Sequence, residues 1–352
     1  MKVALINDTH FGVRNDSPYF LENALTFFEE QLFPYLEKNK IKTIIHLGDL
    51  FDRRKYINFH TLSEVRNRFF QPMFDLGIVF HITIGNHDTY YKNTNDLNSI
   101  KEVIEDRYSN VFIYEKPTVI YLNGYNFGII PWVTKENEND IIEFIKTTNC
   151  RMIGGHFEIV GFQVINGVSH LTGFNTSEFD RFERVVSGHF HIRQSDKNIH
   201  YLGTQYQMNF SDIHGKKGFH IFDTETNELE FIENNNEIFH VFTYDDSTED
   251  EVKRIAKFIN ENKLTGTFIR VNIRIKNKQK IFDKFIDALW DKGIQELSIV
   301  DEPSEFMSDV EFNESEDTIS IIGREIDSIE RDIDKVKLKT LISDLYMESL
   351  KI

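Results

Sequence analysis

Five times between residues 2 and 191, a short apolar run breaks off into a cluster of Asp, Asn or His. Residues 3–6 lead to Asp8-Thr9-His10, and 44–47 to Gly48-Asp49-Leu50-Phe51-Asp52. Residues 79–84 lead to Gly85-Asn86-His87-Asp88, 152–154 to Gly155-His156, and 185–187 to Gly188-His189-Phe190-His191. Apolar runs this short are buried strands when helical patterns separate them. In an open α/β sheet, the space beyond the carboxyl ends of such strands is where ligands bind. Four of the five clusters have a glycine directly before the polar residue. Glycine tolerates positive φ and close backbone approach, both of which a crowded site requires.

The rest of the pattern supports a layered α/β domain. Strands are expected at 2–7, 43–47, 78–84, 151–154 and 184–187, with hairpins at 118–130 and 218–232. Residues 20–38, 60–75, 95–107 and 137–147 have helical periodicity, and this alternation defines the fold class. From 238 to 300 the rhythm shortens to strand, helix, strand, helix, strand, a small α+β unit. Residues 301–317 hold eight acids and no base and are expected to be a solvated linker. Beyond it, Ile322, Ile326, Ile329 and Ile333 form one helical stripe; Leu338, Leu341, Ile342 and Leu345 form a second. A helical pair with no core of its own is expected to dock on a partner.

Charge and cysteine content narrow the chemistry. The net charge is −17, but −9 of it lies in residues 301–352, so the front of the chain can still carry a local basic surface. The single cysteine, Cys150, excludes a thiolate-rich zinc site and an internal disulfide framework, and fits a reducing cytoplasm. No apolar run approaches the ~18 residues of a membrane span. The first residues read as a strand rather than a signal peptide.

Asp, Asn and His without Cys suit Mn²⁺, Fe²⁺ or Zn²⁺ in mixed nitrogen and oxygen coordination. On extended backbone, Asp8-x-His10 and His189-x-His191 would each present two side chains to one face. Asp8, His10, Asp49, Asn86, His156, His189 and His191 are too many for one tetrahedral ion. They fit two ions if one carboxylate bridges, and Asp49 is the natural bridge. The remaining histidines, His46 among them, lack this context.

These motifs resemble the five motifs of the calcineurin-like metallophosphoesterases. The context around them, with a capping unit and a helical tail, is similar to the SbcD-type DNA-repair nucleases, and to phage recombination nuclease subunits of that family. The resemblance implies an αββα nuclease domain over 1–235, a DNA-binding cap over 236–300, the linker 301–317, and a docking segment over 318–352. It implies two Mn²⁺ or Mg²⁺ ions, one on Asp8, His10, Asp49 and His191, the other on Asp49, Asn86, His156 and His189. Such a pair activates a water against DNA phosphate. It also implies exonuclease action on duplex ends and endonuclease action on single strands.

His87 is then left without a metal and is expected to act on the leaving oxygen, with Asp52 as its hydrogen-bond partner; helix capping is the alternative for Asp52. Arg53, Arg54, Lys55 and Lys92 are candidate DNA phosphate contacts, and a solvated loop is the alternative for the first three. In the family, helices equivalent to those carrying Leu62, Val65, Phe69 and Met73, and Leu97, Ile100 and Ile104, build a homodimer contact. Packing on the parent sheet explains those stripes equally well. The tail resembles the segment that docks on an SbcC-type coiled-coil ABC ATPase. The chain has no Gly-x-x-x-x-Gly-Lys loop, so any ATP dependence falls to that partner. The implied location is the cytoplasm, that of the host if the chain is phage-encoded. Two rival readings are a small-molecule phosphodiesterase or phosphatase with the same ligands, and a metal-free scaffold subunit.

Overall fold

The computed structural model describes residues 1–301. The stripes Ile322, Ile326, Ile329, Ile333 and Leu338, Leu341, Ile342, Leu345, and all but the first residue of the expected linker, lie outside the described residues.

Two six-stranded sheets pack face to face. The first runs Glu228–Asn234, Lys217–Asp223, Lys2–Ile6, Thr43–His46, Val79–Thr83, Val111–Tyr114. The second runs Gln194–Asp196, Ile199–Tyr201, Arg184–Ser187, Met152–Gly155, Tyr125–Ile130, Thr118–Leu122. In each sheet four neighbouring strands are parallel and the outer hairpin partners are antiparallel.

Side-chain alternation explains the layers. Val3, Leu5, Ile45 and Leu47 point inward and meet Phe127, Ile129, Met152 and Val186 of the other sheet. Their neighbours Ala4, Ile6, Ile44, Phe80 and Ile82 point outward into helices carrying Leu21, Leu25, Phe28, Phe69 and Met73. Ile130, Ile153 and Val185 face outward on the far side against Ile141, Ile145 and Phe179. A strand buried on both faces has no polar side, which is why these runs read as continuously apolar. The order of layers is αββα, as expected.

Two expected helices carry a wide turn. The helix from Pro18 to Lys38 passes through a π-turn at Phe28–Leu32, and the one from Phe59 to Asp75 through another at Arg66–Phe70. Pro34 and Pro72 follow these turns; neither can donate to the ladder, and the wider turn accommodates the missing bond. The helix expected at 95–107 is shorter, Ser99–Ile104. Asn98 caps it, accepting from the Lys101 amide at 2.9 Å, and Leu97 remains in the preceding loop, its carbonyl accepting from the Tyr90 amide.

Residues 239–301 form a three-stranded sheet, Phe239–Asp245, Phe268–Ile275, Glu296–Asp301, with helices Glu249–Glu261 and Gln279–Asp291. Tyr244, Ile269, Val271, Phe285 and Leu289 give it a core of its own. Phe239 and Phe268 pack on Phe20 and Phe210 of the layered domain, and the Gln207 side-chain oxygen accepts from the Ile238 and Phe239 amides at 2.8 and 3.0 Å. The last strand extends through Asp301, the first residue of the expected linker. Among the described residues no helix is long and apolar enough to cross a membrane.

The stripes assigned to a dimer contact need correction. Leu62, Val65, Phe69, Met73, Ile100 and Ile104 are all buried in the chain's own outer helical core, and Leu97 is half-buried in its loop. The six buried side chains pack into the core beneath the parent sheet and are not available to a second copy.

Candidate metal centre

The five clusters converge at one end of the two sheets. Contacts between segments hold them there: the Asp8 amide donates to the Gly48 carbonyl at 2.9 Å, and the Trp132 amide to that of Ile84 at 2.7 Å. The His189 amide donates to both Asp8 carboxylate oxygens at 3.1 and 3.0 Å, joining the two sheets.

The backbone here is unusual. Asp8, His10, Asp49 and His189 have φ of 48°, 42°, 59° and 82°. Non-glycine residues in the left-handed region cost energy and persist where the surroundings dictate them. The extended-backbone expectation for Asp8-x-His10 and His189-x-His191 is therefore wrong: the strands stop at Ile6 and Ser187, and left-handed backbone at Asp8, His10 and His189 delivers the side chains. A Cβ on Gly85 would fall 2.1 Å from Asp49 Oδ1, and one on Gly48, itself at φ 96°, would fall 2.8 Å from His156 Nδ1. Only glycine allows these turns to close on each other.

All seven expected ligands meet in two adjoining sets. Ligand atoms of Asp8, His10 and His191 lie within 4.8 Å of one another, as do those of Asp49, His156 and His189. His10 Nε2 and His191 Nε2 are 3.1 Å apart. His156 Nε2 and His189 Nδ1 approach Asn86 Oδ1 at 2.8 and 3.0 Å. Asp49 Oδ2 stands between the sets, 3.6 Å from His10 Nε2 and 3.3 Å from His156 Nε2.

Hydrogen bonds on the far sides of the rings decide which atoms face inward. His156 Nδ1–H donates to the Leu47 carbonyl at 2.8 Å, leaving Nε2 for the site. His189 lies between two oxygens, with Nδ1 3.0 Å from Asn86 Oδ1 and Nε2 3.3 Å from Glu158 Oε1. Burial holds both His10 and His191 below the ordinary imidazole range, with the charge of His87 adding to the effect at His10. Neutral imidazole nitrogens therefore face each other, and another faces an amide oxygen. Imidazole nitrogens this close to one another and to the Asp49 carboxylate and the Asn86 amide oxygen form a donor set that fits a cation.

Burial alone would raise the Asp49 carboxyl, but the imidazoles of His156, His87 and His10 outweigh it and hold it well below the carboxylate range. Burial alone would lower His156, but Asp49 raises it to about 9. Binding a cation there displaces that proton.

His87 sits against this pair. Its ring lies 4.8 Å edge-on from His10, and its Nδ1–H donates to the Asp52 backbone carbonyl at 2.5 Å. Its backbone amide donates to Asp49 Oδ1 at 2.8 Å. Its ligand atom also lies within 4.8 Å of those of His10 and Asp49, closer to the ligand set than the sequence implied. The Asp52 carboxylate lies 3.5 Å from His10 Nδ1. Asp52 caps no helix: the next helix begins at Phe59, with Asn58 at its N-cap.

The expected basic rim is partly engaged internally. Arg53 pairs with Asp16 at 3.0 Å and lies 4.8 Å over the Tyr56 ring. Lys55 and Lys92 are exposed, and Arg54 is half-buried.

Several supporting residues escaped sequence reasoning. Asp88 is fully buried; Oδ2 accepts from the Asp49 and Gly85 amides at 2.8 and 2.9 Å, and Oδ1 from Leu50 at 3.0 Å. Burial and the Asp49 charge push its carboxyl up to about 7, against the pull of these amides. Lys217 pairs with buried Asp212 at 2.5 Å and donates to the His191 carbonyl at 3.0 Å. The Trp132 ring lies 5.1 Å from that of His189 and 5.8 Å from that of His156. Asp88 was visible as the last residue of its motif; nothing in the spacing of Glu158, Lys217 or Trp132 marked them.

Fold and site together define a class, and residues 1–193 match the family described as "Calcineurin-like phosphoesterase". The chain belongs to that family. It is 37% identical over 236 residues to "Exonuclease subunit 1" of Enterobacteria phage T4, covering 67% of this chain and 68% of that protein. It is 24% identical to a component of the SbcCD nuclease of Staphylococcus epidermidis, covering 65% of this chain and 67% of that one. "DNA double-strand break repair protein Mre11" of Sulfurisphaera tokodaii is 26% identical, covering 54% and 48%.

Proposed function

We propose that this chain is a DNA nuclease that hydrolyses phosphodiester bonds with two divalent cations, Mn²⁺ or Mg²⁺. The observation that carries the reading is the convergence of histidine nitrogens and carboxylate and amide oxygens on both sides of Asp49. Asp8, His10, Asp49 and His191 would hold one cation, and Asp49, Asn86, His156 and His189 the other. Bound there, such a pair supplies a water of lowered pKa and neutralises phosphate charge.

The chain's own residues supply the rest. The Leu47 carbonyl orients the His156 imidazole. The Asp52 carbonyl occupies His87 Nδ1, so Nε2 is the atom that would give a proton to the leaving oxygen. Exposed Lys55 and Lys92 would meet DNA phosphates as positioning contacts. The relatives' names favour a nucleic-acid substrate over a small phosphodiester. The proposal extends to residues 236–300 as a DNA-binding cap, to a homodimer formed by faces other than the buried stripes, and to an SbcC-type ATPase docked on residues 318–352.

The test is Mn²⁺-dependent degradation of end-labelled duplex beside a chromogenic phosphodiester, by wild type and His87→Asn. The expected result is degradation of DNA by wild type. His87→Asn should lose at least about 100-fold in turnover with unchanged Mn²⁺ affinity, the lower end of general-acid contributions. A fully active His87→Asn refutes the role of His87, and cleavage of the small ester alone refutes the DNA reading.

A further inference from the structure

We infer that Glu158 is a positioning residue of the second cation cluster, holding His189 in the tautomer that aims Nδ1 at Asn86. The inference rests on the two-cation reading above.

The His189 imidazole is enclosed by rings, with Phe190 at 4.9 Å, His156 at 5.1 Å and Trp132 at 5.1 Å. Ring packing does not select which nitrogen carries the proton; the two polar ends do. At one end Nδ1 lies 3.0 Å from Asn86 Oδ1, and at the other Nε2 lies 3.3 Å from Glu158 Oε1. Both neighbours are oxygens that accept, so a neutral ring with one proton satisfies only one of them. A proton on Nδ1 would bond Asn86 and block the site. A proton on Nε2 bonds Glu158 and leaves Nδ1 as a ligand. A carboxylate is the stronger acceptor of the two, because charge-assisted hydrogen bonds exceed neutral ones. Glu158 therefore decides the tautomer.

The Glu158 backbone is held for this. Its carbonyl accepts from the Phe174 amide at 2.9 Å, beside the bridge between Ile159 and Phe174. A Cβ on Gly173 would lie 2.3 Å from that same carbonyl, so the two segments press together here. On its outer side the carboxylate lies 3.9 Å from His170 Nε2. At His156 the Leu47 carbonyl does the equivalent work; at His189 it falls to a side chain, which mutation can remove.

The experiment titrates full-length protein, stripped of metal, with Mn²⁺ by calorimetry. Wild type should bind two Mn²⁺. Glu158→Ala should weaken one of the two at least about tenfold, the lower end for loss of a ligand's outer partner, and leave the other unchanged. Glu158→Gln keeps a carbonyl oxygen facing Nε2 and should recover most of that loss. In the ¹⁵N spectrum of the metal-free protein, His189 should carry its proton on Nε2 in wild type and shift toward Nδ1 in Glu158→Ala. Unchanged affinities in Glu158→Ala overturn the inference. So does equal weakening in Glu158→Ala and Glu158→Gln accompanied by a lower unfolding temperature without metal, because that is loss of structure. A wild type that binds no Mn²⁺ overturns the two-cation reading itself.

Discussion

Replacing Asp88 by Asn probes how the turns that carry Asp49 and Asn86 are held. The exchange conserves volume, so its effect reports hydrogen bonding and charge rather than a cavity. Four backbone amides converge on the carboxylate: Asp49 at 2.8 Å and Gly85 at 2.9 Å on one oxygen, Leu50 at 3.0 Å and Phe51 at 3.4 Å on the other. An asparagine has one oxygen, so two amides lose their acceptor and meet an NH₂ group. The rotamer of least cost keeps the oxygen on Asp49 and Gly85 and strands the weaker pair. Those bonds are already counted in the Asp88 carboxyl, which burial and the Asp49 charge still push up to about 7. Ionised at pH 8, the side chain therefore costs the fold up to about 4 kcal/mol relative to a neutral one, at about 1.4 kcal/mol for each pH unit above the free value. Asp88→Asn should raise stability at pH 8, and the gain should shrink sharply by pH 5, where Asp88 is protonated in the fold. The assay is urea unfolding at pH 8 and pH 5 in EDTA, followed by circular dichroism, with the shift in midpoint converted through the slope. Mn²⁺ affinity should fall all the same, because Asp88 ties the Asp49 turn to the Asn86 turn. A loss of stability at pH 8 would refute the reasoning. That result would mean the four amides outweigh burial and hold the carboxylate ionised without cost.

Two further outcomes follow from burial. Ile100→Asp places a carboxylate at a fully buried position in the outer helical core, costing at least about 3 kcal/mol. It should give an unfolded or insoluble chain, by thermal unfolding and gel filtration, and a folded monomer of normal stability would contradict the placement. His220 is buried, and burial lowers it to about 3. Its neutral form is favoured in the fold, so its contribution is complete above about pH 6.5 and declines as pH falls toward 3. At pH 5 the loss is about 2 kcal/mol, since each unit below the unfolded value is worth about 1.4 kcal/mol. The drop in urea midpoint from pH 7.5 to 5 should shrink in His220→Leu, and an equal drop would exclude His220 as a source.

Much of this architecture was legible because strands buried on both faces are written as short, unbroken apolar runs. Residues 44–47 and 152–154 announce themselves, and so do the polar clusters at their ends. The seven candidate residues come together because parallel strands place their carboxyl ends side by side. What failed was local geometry. Asp8 and His10 are presented by left-handed residues, which no alternation rule anticipates. The Leu62 and Ile100 stripes read the same whether they face a sheet or a partner, and only packing distinguishes the two. Asp52 touches His87 through its backbone carbonyl, an atom that every residue carries and no motif encodes. Glu158 lies thirty-one residues from His189, so its role follows from the turn that folds it back.

Manganese anomalous scattering from crystals grown with Mn²⁺ tests the central claim most directly. Two peaks are expected, one among Asp8, His10, Asp49 and His191 and one among Asp49, Asn86, His156 and His189. A map with no peak between those side chains, or with a single peak that Asp49 does not touch, would contradict the account.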